Sequence, residues 1–149
     1  MTTNPTITIG SSYYCSSLKY VDFSSFTSTT IPASWMVFNV DLKTLKLPKG
    51  ITTVKSSALS GCWSITELDF SSGDVTGIEA NAFNSCYNCL LYDFTGCTAV
   101  PTLASTSALS GINSNAKIVV PDSLVTSWKA ASNWSTYASY VIGESDYNA

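Results

Sequence analysis

Apolar residues return along this chain at fixed distances from one small anchor position. The anchors are Cys15, Asn39, Cys62, Cys86 and Ile112, in steps of 24, 23, 24 and 26 residues. Three residues after each stand Leu18, Leu42, Ile65, Cys89 and Asn115. Six after come Val21, Leu45, Leu68, Tyr92 and Ile118, and eight after come Phe23, Leu47, Phe70, Phe94 and Val120. Three before come Ser12, Met36, Leu59, Phe83 and Leu109, and eight before come Ile7, Ile31, Val54, Ile78 and Ala104. Nearly every slot is apolar in the middle repeats. The polar exceptions, Ser12 and Asn115, fall at the ends, where a repeat array needs caps.

Each period contains a short alternation, as in Leu45-Lys46-Leu47 and Leu68-Asp69-Phe70. Period two predicts a strand with its apolar residues inward. One such unit cannot bury its own apolar side, so it must stack on a neighbour. Equivalent strands then pair in parallel at ~4.8 Å and form a narrow sheet on one face, giving a rod of roughly 20–25 Å for five rungs. Pro48, Gly50, Gly73, Gly77 and Pro101 punctuate the return segments. The Ala58-Leu59 and Ala82-Phe83 segments are expected to form single helical or 3₁₀ turns opposite the sheet. A period of this length with an apolar–two–apolar–one–apolar core marks a leucine-rich solenoid.

After Pro121 the pattern changes. Asp122 or Ser123 is placed to cap a helix, and Leu124, Val125, Trp128 and Ala131 follow at helical spacing. Asn133 is expected to end that helix, with a second turn through Trp134, Tyr137, Tyr140 and Val141. This segment is expected to cover the last rung and hide its open sheet edge. The fold class expected is therefore a leucine-rich-repeat solenoid, mainly β. Short parallel strands face turns or short helices, and a C-terminal helical cap closes the stack. One domain fills residues 1–149: a lead-in over 1–14, about five rungs of 23–26 residues over 15–120, a cap over 121–142 and a flexible tail over 143–149.

Composition narrows the chemistry. Apolar content is 45% and charged content 11%, with a net charge of −3 and a pI of about 4.6. Such a chain lacks the basic field that draws nucleic acid or anionic lipid. It has no apolar run long enough for a membrane span. The start, Met1-Thr2-Thr3-Asn4-Pro5, does not read as a secretory signal, so either the chain works without classical export or it has been trimmed; because it begins with Met, a complete short gene product is expected. There is no histidine, which removes His-based triads, His metal ligands and the usual general base. Five cysteines cannot all pair within one chain. Buried free thiols are the first expectation, with a Cys62–Cys86 disulfide as the alternative. No cofactor and no metal is expected.

The stretch Ile78-x-x-x-Ala82-Phe83-x-x-Cys86, followed by apolar slots at Cys89, Tyr92 and Phe94, resembles the BspA-type leucine-rich repeat. Leu47-Pro48 and Val120-Pro121 match that repeat's strand-then-proline ending, whereas Phe70-Ser71 and Phe94-Thr95 do not. In the second rung Trp35-Met36 stands for Ala-Phe and Asn39 for Cys. The segment from Val120-Pro121-Asp122-Ser123-Leu124 to Trp134 is similar to the closing segment of such proteins from gut bacteria and their phages. The resemblance covers about residues 7 to 142. It implies a non-enzymatic surface role: part of a phage particle, located in the virion, or an adhesion module at the bacterial surface or outside the cell. The partner implied is another protein subunit, or a host glycan or protein.

Candidate binding residues lie on the outward positions. Two strand columns read Asp22, Lys46, Asp69, Asp93, Val119 and Tyr20, Thr44, Glu67, Leu91, Lys117. Lys46 is expected to offset both Asp22 and Asp69, and Asp69 and Asp93 to repel. The plain reading of this face is solvation. The alternatives are a partner surface built on Tyr20, Asp22, Glu67, Asp69 and Asp93, or a weak cation site at the last three. Trp63 and Tyr87 follow their anchors on adjacent rungs, either packed at the rim or free to hold a sugar ring or protein. Tyr13, Tyr14, Phe26 and Phe38 gather near the N-terminal end as a docking surface.

Overall fold

A computed structural model describes residues 17–149. The chain winds as a solenoid in which each turn contributes strands to two separate parallel ladders. On one side lie β1 (Tyr20–Asp22), β3 (Thr44–Lys46), β5 (Glu67–Asp69), β7 (Leu91–Asp93) and β9 (Lys117–Val120). On the other lie β2 (Thr30–Ile31), β4 (Thr53–Val54), β6 (Gly77–Ile78) and β8 (Thr102–Leu103), paired in that order. This second ladder runs through the slots of Ile31, Val54 and Ile78. In the last rung Leu103 takes the slot, paired with Ile78, and Ala104, expected there, is exposed.

Between the ladders the chain turns at 33–38, 56–61 and 80–85, and then through a 3₁₀ turn at Thr106–Leu109. The single turns expected at 58–59 and 82–83 are present as hydrogen-bonded turns rather than as helix. Each turn is entered and left through residues with positive φ: Ser34 and Phe38, Ser57 and Gly61, Asn81 and Ser85. Two left-handed residues four positions apart bend the chain too sharply for a helix to propagate. The corners also stack by backbone bonds: Met36 N–H to Ala58 O, Leu59 N–H to Ala82 O and Phe83 N–H to Ala108 O, each 2.8 Å.

The interior is a set of columns. Leu42, Ile65 and Cys89 are buried, as are Leu45, Leu68, Tyr92 and Ile118, and Leu47, Phe70, Phe94 and Val120. Phe70 and Phe94 stack face to face, with centroids 5.2 Å apart and planes 3° from parallel. Leu18, Val21 and Phe23, in the first described rung, are only partly buried against this core.

The main-side ladder is interrupted. β1 pairs with β3, and β5, β7 and β9 pair in sequence, but no ladder joins β3 to β5. The return from β3 to β4, residues 47–52, is one residue shorter than those after β1 and β5. It also breaks a local device. After β1, β5 and β7, Asp22, Asp69 and Asp93 accept the backbone N–H of Ser24, Ser71 and Thr95 at 2.8–2.9 Å. At the matching place after β3 stand Lys46 and Pro48, and proline has no N–H to give.

Beyond Pro121 come a 3₁₀ turn at Asp122–Leu124, α1 (Val125–Ala130), a 3₁₀ helix at Trp134–Tyr140, β10 (Val141–Gly143) and α2 (Glu144–Tyr147). Trp128 and Trp134 are buried against Phe94, at 5.8 and 6.2 Å. Side chains serve the outer edge of β8: Asn133 donates to Leu103 O at 2.7 Å and Trp134 Nε1 to Pro101 O at 2.8 Å. Tyr137 donates to Thr106 O.

Two expectations for this segment are corrected. Asp122 makes no helix cap; its carboxylate takes the N–H and hydroxyl of Ser145. The sheet edge is not hidden but moved outward, because β10 adds a parallel strand to β9. Gly143 ends β10, and Glu144–Tyr147 forms an exposed helical turn.

Candidate functional site

The outer face of the main-side strands carries the expected columns in register. Tyr20 lies beside Thr44 and Asp22 beside Lys46; Glu67 lies beside Leu91 and Leu91 beside Lys117, and Asp69 lies beside Asp93 and Asp93 beside Val119. Two members behave differently from the simple outward reading. Lys46 pairs with Asp22 at 3.7 Å but not with Asp69, which stands across the interrupted ladder. Val119 is buried rather than outward in solvent, because α2 lies against β9 and β10.

The carboxylates are tied down locally. Asp22 also takes hydrogen bonds from the Ser24 hydroxyl at 2.6 Å and the Tyr20 hydroxyl at 3.2 Å. The Ser24 bonds hold its carboxyl below the usual range. Asp93 takes the Thr95 hydroxyl at 2.7 Å in addition to its N–H. Asp69 and Asp93 thus spend an oxygen each on their own turns, which eases their mutual repulsion. Among the described residues no three acidic or sulfur side chains converge as metal ligands. The repeated Asp-x-Ser/Thr, legible in the sequence at 22–24, 69–71 and 93–95, is a structural signal that slot counting missed.

Trp63 and Tyr87 form a ridge at the corner side. Their centroids are 6.3 Å apart with planes inclined 44°, and they are 46% and 49% exposed. They both pack on each other and face solvent. Leu90, just ahead of β7, is also exposed, at 48%. The backbone beneath is pinned from the next rung, as Asn88 donates to Trp63 O at 2.7 Å and Asn113 to Tyr87 O at 2.9 Å. The Tyr87 ring lies over Gly111, where a Cβ would meet it at 2.8 Å.

Of the expected docking end, Tyr13 and Tyr14 lie outside the described residues. Phe26 is half-buried, 6.2 Å from Phe23, and Phe38 is 40% exposed with its ring over Gly61.

Cys62, Cys86, Cys89 and Cys97 are buried free thiols, so no Cys62–Cys86 bond is present; Cys15 lies outside the described residues. The Cys62 thiol donates to Met36 O at 3.0 Å and the Cys86 thiol to Leu59 O at 3.3 Å, each reaching a corner carbonyl of the preceding rung. Burial pushes Cys62 and Cys89 up to about 12 and Cys97 up to about 11, with Cys86 well above its ordinary value. They are therefore protonated at neutral pH, which removes their nucleophilic form.

Comparison with known families found the BspA type leucine rich repeat region in six copies across residues 5–126. The chain belongs to the BspA-type leucine-rich repeat family. Leucine-rich repeats of this kind are generally non-catalytic modules for protein interaction, and the solenoid with its outward columns has that form. A search of curated proteins found no match. Among the described residues, no helix is long and apolar enough to cross a membrane.

Proposed function

We propose that this BspA-type solenoid is an accessory component of a phage particle, bound to another subunit near its N-terminal end and presenting its rungs outward. The observation that carries a binding role is the Trp63–Tyr87 ridge, where two exposed rings sit on a backbone pinned by Asn88 and Asn113. A rigid aromatic surface loses little entropy when a partner covers it. The placement in a virion rests on the likeness of the closing segment to phage and gut-bacterial proteins.

An adhesion module at the bacterial surface is the second reading, favoured by the same ridge, because flat aromatic faces beside an amide suit a sugar ring. Mass spectrometry of purified particles and of cell-envelope fractions tests the choice. The proposal expects this chain's peptides in the particle fraction at a fixed ratio to capsid protein. Their presence in the envelope alone contradicts it. Glycan-array binding that disappears in Trp63→Ala and Tyr87→Ala supports the adhesion reading.

A further inference from the structure

Charge is absent from the turn side of the third, fourth and fifth rungs. Residues 56–66, 80–90 and 104–116 carry none of the chain's 7 basic and 10 acidic residues. These stretches hold three successive corners and the Trp63–Tyr87 ridge. The nearest charge in the neighbouring column is Asp41, one rung before Ser64. What the face exposes instead is aromatic carbon, amides and hydroxyls. The Tyr87 ring is backed by Gly111 and by Trp63, yet stays exposed. Among the described residues nothing takes the Trp63 indole N–H or the Tyr87 hydroxyl. Asn88 gives its Nδ2 to Trp63 O and keeps Oδ1 to accept. The Ser64 hydroxyl gives its proton to Val40 O at 2.6 Å, so it too can accept.

A sugar ring has the matching chemistry: a face of C–H groups to lie on an aromatic ring, and a rim of hydroxyls that both donate and accept. An uncharged face offers an anionic sugar no counter-ion, and Asp41 with the net charge of −3 repels it. Nor does it offer a protein partner the complementary charges that steer and register such contacts. We propose that the Trp63–Tyr87 ridge binds a neutral oligosaccharide, with neighbouring sugars on the two rings and Asn88 and Ser64 accepting from their hydroxyls. The saccharide runs along the stack, because the two aromatic rings stand on adjacent rungs, 6.3 Å apart. This rests on the reading of the ridge as a binding surface, and it holds for a particle component and for a cell-surface module alike.

Trp63 supplies the probe. Trp35, Trp128 and Trp134 are buried, so of the four tryptophans Trp63 is the one a dissolved quencher reaches. Acrylamide quenching of the full chain is followed while neutral oligosaccharides of glucose, galactose, mannose and N-acetylglucosamine are titrated in, beside 3′-sialyllactose and a heparin tetrasaccharide. The expected result is protection of Trp63 by at least one neutral oligosaccharide, with a dissociation constant that changes less than about twofold between low and high salt. Tyr87→Ala should weaken that binding about tenfold, and Tyr87→Phe, which keeps the ring, less than about threefold. Melting curves matching the parent's show that both variants are folded. Three results overturn the proposal: no protection by any neutral oligosaccharide, tighter and salt-dependent binding of an acidic probe, or a Tyr87→Ala variant that binds as the parent does. The ridge's binding role is read separately, from the amount of Tyr87→Ala chain in particle and envelope fractions. A loss there without protection by any sugar sinks the saccharide and leaves the ridge as a binding surface.

Discussion

Single residues decide how closely the rungs approach. Gly96 lies on the backbone of the preceding rung, and a Cβ there would run into the carbonyl oxygens of Gly73 and Ser71. Gly77, in β6, has open space where its Cβ would point. Gly96→Ala is therefore expected to destabilise the fold by about 1–3 kcal/mol, because backbone cannot swing aside. Gly77→Ala is expected to be neutral or to stabilise by up to about 1 kcal/mol, through the lost freedom of the unfolded chain. Chemical denaturation of both variants checks the contrast.

The thiols set a second residue-scale outcome. Their folded pKa values lie above the ordinary 9.0, at about 11 for Cys97 and about 12 for Cys62 and Cys89. Burial raises the Tyr92 hydroxyl well above 10.0 as well. A group raised on folding contributes stability fully below its unfolded pKa and loses it as pH rises toward the folded value. The melting temperature should hold to about pH 9 and then fall steadily toward pH 12. A melting temperature flat across that window contradicts thiol burial. Sequence spacing made the column of Cys62 and Cys86 legible. It did not show why sulfur stands there, because each thiol's acceptor is a carbonyl in another rung, 26 or 27 residues away.

At the scale of elements, the three-residue strands were readable because an apolar–polar alternation marks them directly. The second ladder was not, because β2, β4 and β6 are two residues long and show a single inward side chain each. A pattern needs at least one full alternation before it has a period. The missing partnership between β3 and β5 was harder still; it coincides with a return one residue short and with Pro48 in place of the N–H donor. Its consequence is measurable. In a parallel ladder successive residues send their peptide groups to opposite sides. Phe70 N–H bonds Asp93 O, so Leu68 and Phe70 serve β7, while Glu67 and Asp69 turn theirs toward β3. Hydrogen exchange should therefore be fast at the amides of Leu45, Glu67 and Asp69 and slow at Leu68 and Tyr92. Equal protection of Glu67 and Leu68 would mean that the ladder runs unbroken.

For the whole molecule, stability comes from repetition: a stack of nearest-neighbour contacts in which each rung buries the apolar side of the next. The same plan leaves the outside free, so the sequence describes the stack better than it describes what the stack touches. Trp63 and Tyr87 could be placed side by side from spacing alone, yet the tilt and exposure of their rings could not. The C-terminal segment shows the limit most clearly. Its helical spacing was plain, but β10 pairs with β9 through Val141–Ile118, Ile142–Val119 and Gly143–Val120, a register no local pattern announces. The most direct measurement of the stacked interior is a set of nuclear Overhauser contacts between side chains one rung apart. The account predicts strong contacts between the rings of Phe70 and Phe94 and between Leu68 and Tyr92, with none between Leu68 and Phe94 across the diagonal that exceed them. Contacts joining Phe70 to Leu91 or Asp93 in their place would show a slipped register and would contradict the solenoid described above.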